Sequence, residues 1–482
     1  MSKKKRLKIL YVSSEVYPFA KSGGLADVGH GLPKTMAKKA DVSVIMPLYA
    51  QLERERYGIE AVESPFPIEI GDGRYGVQLH ACKMGKIRYY FVESEPLSRR
   101  EYLYGPPESG YEDNALRFGL FCRAVHVWMK KSKEPFDILH LNDWQTALCA
   151  LLVKEDAGCD VKTVFTIHNL AYQGVFEKEA LQQLGLSDAY FTMDALEYYG
   201  QINLMKAGIA FADAVTTVSR IYADEILTPE FGFGLEGFLR VHWHKLSGIP
   251  NGIDTGHFSP ESDNALWKNY DENALDKKTE NKRAYLKQVG LKGKKKPLFI
   301  FIGRLTVQKG VDLLIEALDA AAELDCNIAL LGEGEGAYHR KLEALASRHE
   351  NIHLFFGYDE SLSHRMYAAA DFLLMPSLFE PCGLNQMIAM RYGAVPIVHS
   401  VGGLKESVQN ISGFDKKSGH GYGILFEEPD AAALIRAVGD GLSLYADKKR
   451  LRKIIRHNMA CDFSWKQSAA SYLALYKSIM ED

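Results

Sequence analysis

Glu380 is the carboxylate best placed for chemistry in this chain, and its neighbours in sequence say why. Asp371 to Val408 reads D-F-L-L-M-P-S-L-F-E-P-C-G-L-N-Q-M-I-A-M-R-Y-G-A-V-P-I-V-H-S-V-G-G-L-K-E-S-V. Phe372 to Met375 has the length and apolarity of a buried strand, Pro376 to Gly383 is turn chemistry, and Leu384 to Tyr392 has helical spacing up to Gly393. Val395 to His399 reads as a second strand, followed by Gly402-Gly403 before another helical pattern. In such a βαβ unit Glu380 lies in the loop at the carboxyl end of the first strand, where open parallel sheets place their ligands. The spacing also predicts two helix N-termini with free backbone N–H groups, a setting for an anion. Arg304 and Lys309, in P-L-F-I-F-I-G-R-L-T-V-Q-K-G (297 to 310), put two cations at a strand end beside a helix start, a cradle for a pyrophosphate.

The amino-terminal half offers a second set. Lys8 to Val12 predicts a buried strand, Ser13 to Gly24 a loop, Leu25 to about Lys39 a helix, and Val42 to Met46 the next strand. Within that loop Lys21 adds a mobile positive charge, Gly23 and Gly24 let the backbone approach a bound group, and Asp27 caps or contacts the first helical turn. H-L-N-D-W-Q (140 to 145) and T-I-H-N-L-A-Y-Q-G (166 to 174) each follow a strand, so Asp143 and His168 are expected at the same carboxyl edge. Further strands, Ile87 to Val92, Ile138 to His140, Val164 to Ile167 and Ala214 to Val218, alternate with helical stretches and predict a mostly parallel sheet.

At 482 residues the chain exceeds what one hydrophobic core organises, so two domains of about 200 to 250 residues are expected. Hydrophobic residues make up 47% and charged residues 25%, ordinary for a globular protein. The net charge of −3 gives no general attraction to nucleic acid or to an anionic membrane. Seven cysteines without a C-x-x-C pair argue against a disulfide framework and a zinc site, and fit a reduced cytoplasm. The basic start M-S-K-K-K-R-L-K precedes an apolar run, Ile9 to Val12, too short for a signal peptide, and no apolar run reaches transmembrane length. No metal motif appears, and no cofactor is expected.

F-E-P-C-G-L-N-Q resembles the active-site segment of the bacterial glycogen synthases and plant starch synthases, and the resemblance extends over essentially the whole chain. K-S-G-G-L-A-D-V is similar to the family's K-T-G-G-L-x-D-V, with Ser22 for Thr. N-G-I-D (251 to 254) and G-R-L-T-V-Q-K-G (303 to 310) match further family segments. Membership implies two Rossmann-like α/β domains with parallel sheets facing across a cleft, the GT-B arrangement. Residues 1–247 would form the acceptor-side domain, 248–258 a hinge, 259–460 the nucleotide-sugar domain, and 461–482 a helix returning to the first domain.

The resemblance implies roles residue by residue. Glu380 and His168 would be catalytic, with His168 hydrogen-bonding the donor glucose. Lys21, Gly23, Gly24, Arg304, Lys309, Gly402 and Gly403 would hold the donor diphosphate. Asp27, Asn251, Tyr358, Cys382, Gly383 and Leu384 would meet the donor sugar and base. Tyr104, in the loop Y-L-Y-G-P-P-E-S-G (102 to 110), and Asp143 would lie on the acceptor side. The chain departs from the family at Asn142, where a histidine often stands, and at Ile388, which breaks a related two-glutamate E-x7-E pattern. For Tyr104 local packing, and for Tyr358 core packing, are equally open readings.

The expected activity is transfer of glucose from ADP-glucose to the non-reducing end of an α-1,4-glucan, with retention at the anomeric carbon. Attack from the face of departure is preferred, since no second carboxylate offers itself as nucleophile, and the cations replace magnesium. The expected partners are ADP-glucose and glycogen or maltooligosaccharides, without nucleic acid or membrane. Two alternatives remain open on sequence: transfer from UDP-glucose or to a small phosphorylated acceptor, and a non-catalytic regulator that binds glucan or nucleotide.

Overall fold

The computed structural model describes residues 6–106, 109–132 and 135–481. The first five residues of the basic start and residues 107–108 of the tyrosine-bearing loop lie outside the described residues. Contacts group the chain into two units, Met1–Gly252 with Trp465–Asp482, and Ile253–Ser464. Both are α/β.

In the first unit a ten-stranded sheet runs in the order Leu246–Gly248, Ala214–Thr217, Lys162–Ile167, Ile138–Asn142, Lys8–Val12, Asp41–Pro47, Ile87–Glu93, Gly73–Met84, Glu60–Ala61, with Phe66–Ile70 also paired to Gly73–Met84. From Leu246–Gly248 to Ile87–Glu93 the neighbours are parallel. Such strands are covered on both faces, which is why K-I-L-Y-V and I-L-H-L-N are buried almost throughout. The strands Phe66–Ile70 and Gly73–Met84 are antiparallel additions that the alternating strand and helix pattern does not announce. Phe66–Ile70 buries every second residue, as expected of a sheet with one wet face. The helix Gly24–Met36 ends three residues before the sequence suggests, because the Lys39 and Ala40 N–H groups turn back onto the Met36 carbonyl.

The closing helix, Lys466–Glu481, packs into this first unit. Trp465, just before it, lies so close beneath Gly31 that a Cβ there would come within 2.0 Å of its indole nitrogen. The Tyr476 hydroxyl is 2.5 Å from His140 Nδ1, and Tyr472 and Tyr476 are fully buried.

The second unit holds a seven-stranded parallel sheet in the order Ile352–Phe356, Asn327–Gly332, Leu298–Ile302, Phe372–Met375, Val395–His399, Gly421–Phe426, Val408–Asn410. Strand order reverses between Leu298–Ile302 and Phe372–Met375 in this unit, and between Lys8–Val12 and Ile138–Asn142 in the first. These are the switch points at which loops from adjacent parallel strands diverge and leave a crevice at the carboxyl edge.

Candidate active site

In the second unit the loops after three neighbouring strands meet at the carboxyl edge. Glu380, 6% exposed, follows Phe372–Met375. Its Oε2 accepts from Lys309 Nζ at 2.5 Å and from Ser377 Oγ at 2.9 Å. Lys309 comes from the loop after Leu298–Ile302, and the His399 ring, at the end of the third strand, hydrogen-bonds the Ser377 carbonyl at 2.8 Å. Two glycines let these loops close on one another. Gly310 has φ 65°, and a Cβ there would lie 2.0 Å from the Pro376 carbonyl oxygen; a Cβ on Gly403 would lie 2.2 Å from the Cys382 Cα. A carboxylate held by a cation and a hydroxyl is fixed in direction, suited to grip sugar hydroxyls or face a developing cation.

Gly402 and Gly403 form the first turn of a six-residue helix instead of preceding one. The Gly403 N–H donates to the Glu380 carbonyl at 2.9 Å, so it is not the free anion donor that the spacing predicts. Cys382, partly exposed, Gly383 and Leu384 complete the turn before the helix Asn385–Arg391. Gln386 braces this turn by donating to the Cys382 and Gly383 carbonyls, both at 3.0 Å. Arg304 is exposed at the end of its strand. Tyr358 follows the edge strand Ile352–Phe356 and is 68% exposed, which rules out the core-packing reading.

In the first unit the loop Ser13–Gly23 leaves the strand Lys8–Val12 and folds around Glu15. This carboxylate, buried, accepts from the backbone N–H groups of Ser22 and Gly23, from Ser22 Oγ at 2.7 Å and from the Tyr104 hydroxyl at 2.7 Å. Tyr104 also bonds Ser14 Oγ at 2.8 Å. Burial, followed by the charge of Glu15, pushes the phenol well above its ordinary pKa, so it remains neutral. Lys21 Nζ is not a loose charge, because Asp27 Oδ1 holds it at 2.8 Å. A Cβ at Gly23 would meet nothing within 4 Å.

Asp143 and His168 lie at neighbouring strand ends and touch. The His168 N–H donates to Asp143 Oδ1 at 2.7 Å. Asp143 has φ 56° and ψ 178°, a region that costs a non-glycine residue of order 1–3 kcal/mol and persists where the surroundings impose it. Burial raises its carboxyl pKa to about 7, against the backbone hydrogen bonds from His168 and Asn169. His168 is partly exposed at the strand end, yet its dense surroundings disfavour the imidazolium and depress its pKa to about 3. The tautomer follows from Asn142. Asn142 Nδ2 donates to the Val12 carbonyl at 2.8 Å, so its oxygen faces the Tyr11 hydroxyl and His168 Nε2, each at 2.8 Å. An amide oxygen only accepts; His168 therefore carries its proton on Nε2 and offers Nδ1 as an acceptor. Asn251 follows the edge strand Leu246–Gly248, and its buried Oδ1 has no hydrogen-bond partner among the described residues.

Residues 8–241 match the family described as "Starch synthase catalytic domain", and residues 282–458 match "Glycosyl transferases group 1". The chain is 42% identical to a glycogen synthase of Geotalea daltonii over 98% of its own length and 99% of that protein's. It is 41% identical to one of Aquifex aeolicus, covering 98% and 99% of the two chains. The chain belongs to the glycogen synthase family. Among solved structures, the catalytic domain of starch synthase IV from Arabidopsis thaliana, bound to ADP and acarbose, superposes with a TM-score of 0.93 at 33% identity, covering 99% of this chain and 100% of that one. A sucrose-phosphate synthase from Thermosynechococcus elongatus, 19% identical with a TM-score of 0.62, shares the fold.

For this glycogen synthase family member the structure groups Lys309, Glu380, Cys382 and Gly403 in one unit, and Lys21 with Asp27 and Asp143 with His168 in the other. Arg304, Tyr358 and Asn251 follow the strands Leu298–Ile302, Ile352–Phe356 and Leu246–Gly248. Sequence reasoning missed Glu15, Ser377 and Asn142. Glu15 follows two serines in an irregular loop, and no pattern marks it as the group that ties Ser22, Gly23 and Tyr104 together. Asn142 is visible only as a departure from the family's histidine, whereas in three dimensions it sets the tautomer of His168.

Proposed function

We propose that the chain is a retaining ADP-glucose:α-1,4-glucan glucosyltransferase that lengthens glycogen at its non-reducing ends. One observation carries the reading: Glu380, buried and held by Lys309 and Ser377, stands at the switch point of a chain otherwise shared with glycogen synthases. The structural relative named as bound to ADP and acarbose, an oligosaccharide analogue, supports an adenine donor and a glucan acceptor. Tyr358 suits a base, since it is exposed and lies two strands, about 10 Å, from the switch. Arg304 and Lys309 take the leaving diphosphate in place of a divalent ion, and Lys21, Gly23 and Gly24 are assigned the same donor by family resemblance.

In the proposed transfer the bond from the anomeric carbon to the ADP oxygen breaks as the acceptor hydroxyl bonds that carbon on the same face. The acceptor proton passes to the departing phosphate oxygen. Glu380 orients the donor hydroxyls and stabilises the oxocarbenium-like ring. Ile388, where a second glutamate would stand, is buried and apolar, which favours this single-step course over a covalent intermediate. His168, with Nδ1 open as acceptor, suits a donor-sugar hydroxyl, and Asp143 and Tyr104 face the acceptor. Seven free cysteines suit a reducing cytoplasm, and no described helix is long and apolar enough to cross a membrane.

The assay that tests this reading gives radiolabelled ADP-glucose or UDP-glucose to the enzyme with glycogen, glucose 1-phosphate or fructose 6-phosphate as acceptor. Labelled glucan from ADP-glucose is expected. Labelled small phosphorylated products, or no turnover, would replace it with one of the two alternatives.

A further inference from the structure

We propose that His257, Glu360 and His364 form a structural site for a zinc-like divalent transition metal ion within the second unit. The sequence shows no metal motif because the donors come from two distant segments. Glu360 and His364 are one turn apart on the helix Glu360–Ala369 and share a face. His257 comes from a tight turn in which the His257 and Phe258 N–H groups donate to the Asp254 carbonyl at 3.1 and 2.8 Å. One ligand atom from each of the three residues lies within 4.8 Å of the others.

Two features distinguish this trio from an ordinary surface cluster. His364, its side chain 5% exposed, bonds Asp263 Oδ2 through Nδ1 at 2.7 Å, and Asp263 also accepts from the Tyr392 hydroxyl at 2.5 Å. The Asp263 carboxylate therefore fixes the tautomer with the proton on Nδ1, leaving a lone pair on Nε2. That Nε2 is buried and has no hydrogen-bond partner among the described residues. A carboxylate behind a histidine whose other nitrogen is open is the arrangement that orients and strengthens a metal-ligating imidazole.

Donors bound at about 2.0–2.2 Å to a tetrahedral ion lie roughly 3.3–3.6 Å apart. His257 Nε2 and Glu360 Oε1, at 3.1 Å, are already near that spacing. The remaining closure falls on His257 and Glu360, whose side chains are 34% and 35% exposed and able to move, while buried His364 stays fixed. Their exposure leaves an entry path and room for water as a fourth ligand. Two imidazoles and a carboxylate select zinc, cobalt or nickel over magnesium or calcium, which prefer all-oxygen sets. The ion would pin the Asp254–Phe258 turn to the helix Glu360–Ala369. No residue assigned to glucosyl transfer takes part.

The test is titration of chelator-treated full-length protein with Co2+, followed by visible absorption, and with Zn2+, followed by the thermal midpoint. We expect about one equivalent of Co2+ with bands of a four- or five-coordinate nitrogen and oxygen site, and a Zn2+-dependent rise in midpoint. His257→Ala and Glu360→Gln, at half-exposed positions that should leave the fold intact by circular dichroism, are expected to weaken binding at least about tenfold and abolish the midpoint rise. His242→Ala/His244→Ala, which removes a separate H-x-H pair, should leave both signals unchanged. Absence of binding, or binding that survives His257→Ala, overturns the proposal.

Discussion

Lys309 and Glu380 share a 2.5 Å hydrogen bond, so a substitution at either alters both. Glu380→Gln keeps the size of the side chain and removes its charge. We expect kcat to fall at least about 100-fold, the scale for one well-placed transition-state group, with a smaller change in donor KM. Steady-state kinetics on a variant with unchanged circular dichroism checks this, and near-normal kcat would reduce Glu380 to a loop carboxylate. Asp143 gives a test at equilibrium. Its folded pKa, about 7, is raised from 3.8, so between those values the folded chain holds a proton that the unfolded chain has released. The stability from that protonation is fully present below about 4, falls as pH rises, and is gone above about 7. Asp143→Asn cannot titrate. The wild-type thermal midpoint minus that of Asp143→Asn is therefore expected to decline from pH 4 to 7 and then level off. A difference independent of pH would mean that the carboxyl is not raised in the folded chain.

At the scale of elements, glycines set how closely the active loops approach. Gly403→Ala would drive a Cβ to 2.2 Å from the Cys382 backbone, whereas Gly413→Ala adds one in open space. The first is expected to cost about 1–3 kcal/mol, or roughly 2–4 °C of midpoint per kcal/mol in a unit of this size. Because Gly403 also donates to the Glu380 carbonyl, activity should fall with it, while Gly413→Ala stays at wild-type values in both. Equal behaviour of the two variants would show that the approach is slack. The strands carrying this loop were legible in the sequence: Phe372–Met375 is an uninterrupted apolar run, Val395–His399 is apolar up to its terminal histidine, and the structure has those limits. So was the Rossmann-like class, through the alternation of such runs with helical periods. The strand pair Phe66–Ile70 and Gly73–Met84 was not, because polar residues on its wet face dilute the signal. Nor were the pairings within the candidate site, Lys21 with Asp27, Glu15 with the Ser22–Gly23 backbone, Asn142 with His168. Spacing along a chain reports which edge of a sheet a side chain reaches, and says little about which neighbour it meets there.

On the scale of the whole molecule, the chain returns at its end to the unit it began with. Trp465 fills the space at Gly31, and the hydroxyl of Tyr476 reaches His140, in a central strand of the first sheet. Ending the chain after Ser464 removes this cover from the first unit. Calorimetry on that truncation is expected to show one transition lowered and the other in place; two unchanged transitions would make the helix an appendage. The central claim, that this family member builds an α-1,4-glucan from ADP-glucose, is tested most directly by kcat/KM for ADP-glucose and UDP-glucose measured side by side with glycogen as primer. We expect the ADP-glucose value to exceed the other at least about tenfold, with all label in chains that an α-1,4-specific amylase releases; a higher value for UDP-glucose, or label in amylase-resistant product, would contradict it.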